Sequence, residues 1–267
     1  MNDLLSRLCA WEESSQQLIY QHCIEATPAH LTSVPYPLPR GYSCLYSHQA
    51  EAVQAALNGQ HVALATPTAS GKTLATTLAY LETRRIEPNA TLLCLAPTRA
   101  LVEQWHQTLA SWNAEIAVEW FTGDTPRSDR SALRRRVQIL VTTPDMVHRS
   151  VLPYHRGWRR FLHHLYGVIV DESHTCRGVF GSHVALVLRR LQRVTSLYQN
   201  RPSSFLLATA TIGNAAEHAT TLIGQDVTTL TQSGAPRGER TIALWQPPEH
   251  RSHSDEAGGL MAFFLEP

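Results

Sequence analysis

The sequence predicts an α/β protein whose mostly parallel sheet is covered by helices on both faces. Three observations predict it. From Tyr46 onward, short β-rich runs alternate with helical patterns; the runs are nearly continuous in apolar residues; and the segments between them repeat apolar residues every three or four positions. Strand and helix in alternation is the pattern of parallel pairing through crossover helices, and unbroken apolar runs suit strands that are covered on both sides.

Residues 1 to about 24 carry apolar positions at helical spacing. The stretch that follows, ATPAHLTSVPYPLPRG, is too rich in proline for regular helix and reads as a linker or an extended wrap. Residues 1–40 are therefore expected to be a helical extension with a proline-rich linker. Strands are expected at VALA (62–65), TLLCLA (91–96), IAVEW (116–120), VQILVT (137–142), YGVIV (166–170) and FLLAT (205–209). Between them LVEQWHQTLASW and HVALVLRRLQRVTSLY have the spacing of crossover helices. After Trp245 the sequence QPPEHRSHSDEAGG turns polar around a double proline, which sets the expected domain at 41–247 and a linker at 248–267.

A chain of 267 residues with 43% apolar and 17% charged residues is long enough for one large domain with appendages and has an ordinary globular balance. The start is too short and too interrupted by Arg7, Glu12 and Glu13 to be a secretory signal or a membrane span, so a cytoplasmic location with no membrane partner is expected. Cys9, Cys23, Cys44, Cys94 and Cys176 are scattered and form no CxxC pair; they are expected to be reduced and mostly buried thiols. A net charge of +1 leaves any nucleic-acid footprint to local clusters such as Arg134 to Arg136 and Trp158 to Arg160, which read equally as solvated surface.

The strongest chemical signal is TPTASGKT, Thr66 to Thr73, placed after the run VALA and before the helical run LATTLAYLE. Strand, loop and helix in that order are what a phosphate-binding loop requires. Backbone N–H groups of a tight loop and a helix N-terminus make an anion nest, hence the small residues Ala69, Ser70 and Gly71. Thr66, Pro67 and Thr68 form the first limb of the loop, with Thr66 where the pattern usually has its first glycine. Lys72 is expected to reach the β- and γ-phosphates of ATP, and the Thr73 hydroxyl to hold Mg²⁺.

Hydrolysis further needs an acidic residue on the metal and a group that positions or deprotonates water, at the end of a neighbouring strand. DESH, residues 171–174, follows GVIV. Asp171 thus emerges at the carboxyl edge of the sheet, where open α/β sheets bind ligands. Asp171 is the expected metal carboxylate and Glu172 the base. His174 either couples the nucleotide site to its neighbours or fills space.

With APTRALVEQ (96–104), TTPDM (142–146) and ATATI (208–212) added in order, the chain resembles the first RecA-like motor domain of a superfamily 2 DEAD/DEAH-box helicase, from Tyr42 to Pro248. LYSHQAEAV and DESHTCRGVFGSHVALVLRRL narrow the resemblance to the DNA-repair helicases related to bacterial MrfA. The resemblance implies a P-loop NTPase fold, ATP and Mg²⁺ as cofactors, and a nucleic-acid partner, DNA before RNA, with 3′ to 5′ movement. It implies that Gln49 reads the adenine edge, a task that suits an amide, although Gln49 is otherwise an exposed helical residue. Tyr46 lies either near the base or in the core.

The resemblance further assigns nucleic-acid phosphates to Pro97, Thr98 and Arg99, to Gly123 and Asp124, and to Thr142, Thr143, Pro144 and Asp145. All follow apolar strands, where loops and helix N-termini can hold phosphates without reading bases; taken alone, Arg99 reads as surface charge. Thr209 and Thr211 resemble the motif that links ATP state to domain movement, or else cap a strand end. In such motors a second RecA-like domain supplies an arginine worth roughly 10³ to 10⁵ in rate. Nothing after Trp245 is long enough to form it, so that domain is expected in cis or in trans and the chain alone is expected to hydrolyse ATP slowly. The alternatives are a non-catalytic ATP- or nucleic-acid-binding module and an RNA helicase; PTRALVEQ and TTPDM disfavour a P-loop ATPase unrelated to nucleic acids.

Overall fold

The computed structural model describes residues 18–39, 41–112, 115–199, 201–246 and 261–265. It divides into two compact units, residues 31–234 and residues 1–30 together with 235–267. In chain order the elements are β1 (Leu18–Ile24), β2 (Leu31–Thr32), β3 (Leu45–Tyr46), α1 (Ser47–Leu57), β4 (Val62–Leu64), α2 (Lys72–Ile86), β5 (Thr91–Leu95), α3 (Arg99–Trp112), β6 (Val118–Phe121), α4 (Arg127–Arg136) and β7 (Ile139–Thr142). They continue with β8 (Leu165–Val170), α5 (Gly178–Thr195), β9 (Ser204–Ala208), α6 (Ala215–Ile223), β10 (Thr228–Leu230), β11 (Arg240–Trp245) and β12 (Met261–Leu265).

The larger unit holds a seven-stranded sheet in the order β10-β4-β9-β8-β5-β7-β6. Every pairing in it is parallel, and all the strands expected from sequence are present. Side chains alternate across the pleat, so each central strand feeds two cores. Leu92, Cys94, Ile169 and Leu206 face one core, where α1, α2 and α3 contribute Val53, Leu78, Val102 and Leu109. Leu93, Leu95, Val168, Phe205 and Leu207 face the other, against Leu133 of α4, Leu188 of α5 and Leu222 of α6. Burial on both faces explains why β5 and β8 are apolar without alternation.

This order places the ends of β4, β5, β6, β7, β8 and β9 at one edge of the sheet, from which every motif segment leaves. Val34, Tyr36 and Leu38 of the proline-rich stretch pack on the α1–α3 side, and β2 pairs with β3. The stretch is thus a wrap on the larger unit, and the boundary falls at 30/31 rather than at 40/41.

The smaller unit is an antiparallel sheet in the order β1-β11-β12. It corrects three expectations. Residues 18–24, read as helical, form a strand because Leu18 to Ile24 pair in sequence with Trp245 to Arg240, a long-range ladder that local periodicity does not see. Residues 235–246, assigned to the main domain, group with β1 instead, and residues 248–267, read as a linker, include β12. The expectation of helix for residues 1–17 lies outside the described residues.

Cys94 and Cys176 are buried, Cys44 is intermediate and Cys23 is exposed, so burial holds for only part of the set; Cys9 lies outside the described residues. Among the described residues no helix is long and apolar enough to cross a membrane.

Candidate functional site

The chain leaves β4 at Leu64 and enters α2 at Lys72, with the loop between them held by its own side chains. Thr66 Oγ1 lies 2.7 Å from Ser70 Oγ, and both residues are buried. The residue that departs from the glycine pattern therefore ties the two limbs of the loop together. Gly71 takes φ 77 and ψ 31, and a Cβ there would lie 2.2 Å from Gln49 Nε2. Glycine is favoured by the backbone conformation and by the close approach of Gln49. Ala69 also has a positive φ of 61, a region that costs an L residue about 1–2 kcal/mol. Lys72 Nζ donates to the carbonyls of Thr66 and Pro67 at 2.9 Å each.

Two residues of α1 brace the loop from behind. Gln49 is 3% exposed, not the exposed helical residue that was the alternative reading. Its Oε1 accepts from Tyr46 N at 2.9 Å, and its Nε2 donates to Gly71 O at 3.0 Å and to Ser70 O at 3.4 Å. Tyr46 stacks on His48 with centroids 6.0 Å apart. His48, which sequence reasoning passed over, is buried with Nε2 3.0 Å from Ser70 O, while its Nδ1 accepts from Gly234 N at 3.1 Å. That acceptor role assigns the proton to Nε2. Burial pushes the His48 pKa down; the Ser70 carbonyl opposes this and the Lys72 charge adds to it.

The acidic box sits at the end of β8. Asp171 N donates to Leu95 O at 2.8 Å, the last rung of the ladder. Glu172 then turns left-handed, with φ 47 and ψ 40. Successive strand residues point to opposite faces; this turn lets Asp171 and Glu172 line the same cavity. Trp105 Nε1 donates to Asp171 Oδ2 at 2.6 Å. Burial raises the Asp171 pKa and the Trp105 bond lowers it; the Glu172 charge raises it, while a hydrogen bond from the Glu172 backbone and the Lys72 charge lower it. For Lys72, burial pushes the pKa down while Glu172 and Asp171 push it up.

His174 connects this box to the strand end of β9. Its Nδ1 lies 3.2 Å from Ala210 N and also 3.2 Å from Glu172 Oε2. One ring nitrogen cannot accept from the amide and donate to the carboxylate at once, so the two hydrogen bonds belong to different tautomers of the ring. Thr209 is buried, its N–H donates to Leu64 O at 3.0 Å, and its hydroxyl has no hydrogen-bond partner among the described residues. Thr211 is exposed.

The segments assigned to nucleic acid divide into exposed and buried positions. Thr98 and Arg99 are exposed, and Arg99 Nη1 meets Asp124 Oδ2 at 2.8 Å beside Gly123. Thr98 Oγ1 accepts from Leu101 N at 3.3 Å at the start of α3, and Pro97 is half-buried. Asp145 is exposed, 3.3 Å from His183 Nε2, and Thr143 Oγ1 accepts from Met146 N at 3.3 Å. Thr142 is a correction: it is the last residue of β7, fully buried, and its hydroxyl donates to Phe121 O at 2.5 Å, so it presents nothing to a phosphate. Pro144 is buried as well.

Thr68, Ala69, Gly71, Lys72, Thr73, Asp171 and Glu172 converge on one cavity of about 450 Å³. Its wall also includes Tyr42, Trp105 and Trp112, with the rings of Tyr42 and Trp112 edge to face at 6.4 Å. None of these three aromatics was singled out by sequence reasoning. The signal for the tryptophans was their place on one face of an amphipathic helix, which reads equally as core.

The donor set fits Mg²⁺, a hard cation held by one or two carboxylates, a hydroxyl and phosphate oxygens. The Asp171 carboxylate and Thr73 stand on the same cavity wall as the loop. The loop fits a polyphosphate, since it combines a helix N-terminus, a lysine and a backbone that at Gly71 admits no side chain.

Residues 46–219 match the model of the DEAD/DEAH box helicase family. The chain is 36% identical over 211 residues to the ATP-dependent helicase HRQ1 of Saccharomyces cerevisiae, covering 76% of this chain and 20% of that protein. It is 33% identical over 257 residues to the uncharacterized ATP-dependent helicase YprA of Bacillus subtilis, covering 91% of this chain and 34% of that protein. The crystal structure of the DUF1998 helicase MrfA bound to DNA and AMPPNP superposes with a TM-score of 0.88 at 33% identity, covering 94% of this chain and 36% of that one. The chain thus spans from a fifth to about a third of the length of these relatives.

Proposed function

The chain belongs to the DEAD/DEAH box helicase family, and on that premise we propose that it is the ATP-binding half of a DNA motor. The observation that carries the proposal is the convergence of Lys72, Thr73, Asp171 and Glu172 on one cavity at the carboxyl edge of the sheet. The loop cradles the polyphosphate, with Lys72 supplying positive charge to the β- and γ-phosphates. Thr73 and Asp171 hold Mg²⁺, whose chemistry is to neutralise charge building on the phosphates. Glu172 orients water and takes its proton, and His174 reports the state of the site to Ala210. Tyr42 offers the base an aromatic face; Gln49, expected to read the adenine edge, has its amide on Tyr46 N and Gly71 O and would have to release one of them to do so.

Nucleic acid lies along the strand-end segments at Thr98, Arg99, Gly123, Asp124 and Asp145, which are exposed, and at half-buried Thr143, held by its phosphates. DNA is favoured because MrfA, at 33% identity, was crystallised with DNA. Movement from 3′ to 5′, a part in DNA repair and a cytoplasmic setting belong to the same reading. A second RecA-like domain in cis or in trans completes the site with an arginine, and the chain alone hydrolyses ATP slowly.

Fluorescent ATP binding with and without Mg²⁺ tests the nucleotide half. Binding that requires Mg²⁺ and is lost in Lys72→Ala is expected; equal binding by that variant would overturn the proposal. Unwinding of DNA and RNA duplexes with either overhang, in a protein joined to a second motor domain, tests the rest. Activity on RNA duplexes alone would overturn the DNA assignment.

A further inference from the structure

We propose that Trp105 is the positioning residue for the metal-holding carboxylate, and that helix α3 makes it the link between bound nucleic-acid phosphate and the nucleotide site. The inference rests on the Mg²⁺·ATP reading of the cavity and adds to it a residue and a route.

Trp105 lies two turns into α3 and is 5% exposed, which by itself is what any core tryptophan does. Its polar atom is not idle, however. The indole N–H ends on Asp171 Oδ2 at 2.6 Å, at the short end for a hydrogen bond from nitrogen and in keeping with an ionised acceptor. An indole is a donor only, so it cannot itself ligate a cation. It holds one carboxylate oxygen and fixes the rotation of a group that also accepts from the Glu172 backbone, so that the carboxylate meets the metal in one orientation. Outer partners of this kind orient ligands, and their loss typically costs about 10–100-fold in metal affinity or activity.

The route follows from where α3 begins. Its first residue is Arg99, preceded by Thr98, whose hydroxyl accepts from Leu101 N. Both are exposed at the strand end of β5, with Arg99 in a solvent-facing pair with Asp124. An exposed pair is worth little, so a phosphate arriving at Arg99 displaces Asp124 at small cost. Arg99 and Trp105 are six positions apart, about 9 Å along a stiff rod at 1.5 Å per residue. Leu101, Gln104, Trp105, Thr108 and Trp112 of the same helix line the nucleotide cavity. Any displacement of α3 at its first turn is therefore delivered to the indole and, through it, to Asp171.

Trp105→Phe keeps an aromatic ring and removes the N–H. The test measures binding of a fluorescent ATP analogue against Mg²⁺ concentration, with and without a single-stranded DNA oligonucleotide. The half-saturating Mg²⁺ concentration is expected to rise about 10-fold or more in the variant. Oligonucleotide is expected to shift the Mg²⁺ requirement of the wild type and not that of the variant. A variant indistinguishable from wild type in both respects overturns the role of Trp105 and leaves the nucleotide reading standing; a wild type that binds without regard to Mg²⁺ overturns both. Indole ¹⁵N–¹H spectra of the unmutated chain give a second readout that does not depend on the variant folding. The Trp105 resonance is expected to move on adding Mg²⁺ with a non-hydrolysable ATP analogue, and again on adding oligonucleotide; an unmoved resonance overturns the link.

Discussion

Replacing Gly71 by alanine tests the architecture of the phosphate-binding loop at its tightest point. The residue sits at φ 77 and ψ 31, where a Cβ costs about 1–2 kcal/mol before any neighbour is considered. The new methyl would then lie 2.2 Å from Gln49 Nε2, far inside contact distance. Gln49 cannot simply swing aside, because it is buried and bonded to Tyr46 N and Gly71 O. Moving it forfeits those bonds, each worth about 1 kcal/mol net. Gly71→Ala should therefore destabilise the fold by roughly 2–4 kcal/mol and weaken nucleotide binding more than tenfold. The assay is a double-mutant cycle by urea unfolding with Gln49→Ala. In the Gln49→Ala background the clash is gone and only the backbone cost remains, so a coupling of about 1–2 kcal/mol is expected between neighbours of this kind. Strict additivity would refute the claim that Gly71 is required by its contact with Gln49, leaving backbone conformation as the sole reason for the glycine.

Ala69→Gly should act in the opposite direction, since Ala69 pays for a φ of 61; a gain of up to about 1 kcal/mol, less the added freedom of the unfolded chain, should appear as a higher urea midpoint. Asp171→Asn should stabilise the fold while abolishing Mg²⁺-dependent ATP binding, because burial raises the pKa of that carboxyl and its charged form is disfavoured in the native state. The sign follows from proton uptake: between the ordinary carboxyl pKa and the raised one the native state binds more protons than the unfolded state, so wild-type stability falls as pH rises through that window. The advantage of the Asp171→Asn variant over wild type should thus grow from acid to neutral pH in parallel melts, and a constant offset would contradict the argument. Arg99→Ala should leave the melting temperature almost unchanged, its pair with Asp124 being exposed. It should also reduce the salt dependence of DNA binding by about one phosphate contact, and an unaltered slope would remove Arg99 from the interface.

Much of this protein is local chemistry and was legible without coordinates. The run of strands, the loop at Thr66 to Thr73 and the box at Asp171 to His174 declare themselves because each is a short segment whose composition follows from its own geometry. Buried parallel strands must be apolar throughout, a loop around phosphate must be small and donor-rich, and a metal carboxylate must follow a strand end. What sequence could not decide depends on residues far apart in the chain meeting in space. Leu18 to Ile24 became a strand only through its ladder with residues 240–245. Gln49 turned inward because Gly71 lies against it, and Thr142 lost its hydroxyl to Phe121 across the sheet. Trp105, an apolar position in any helical pattern, acquired a role only when α3 and β8 brought its indole to Asp171. The amino-acid order by itself determined the strands and helices of the larger unit and the segments from which candidate reacting groups come, since those answer to short-range periodicity and chemistry; tertiary packing decided the smaller unit's ladder and which donor meets which acceptor, because a hydrogen bond is settled within a few tenths of an ångström by the whole surrounding fold.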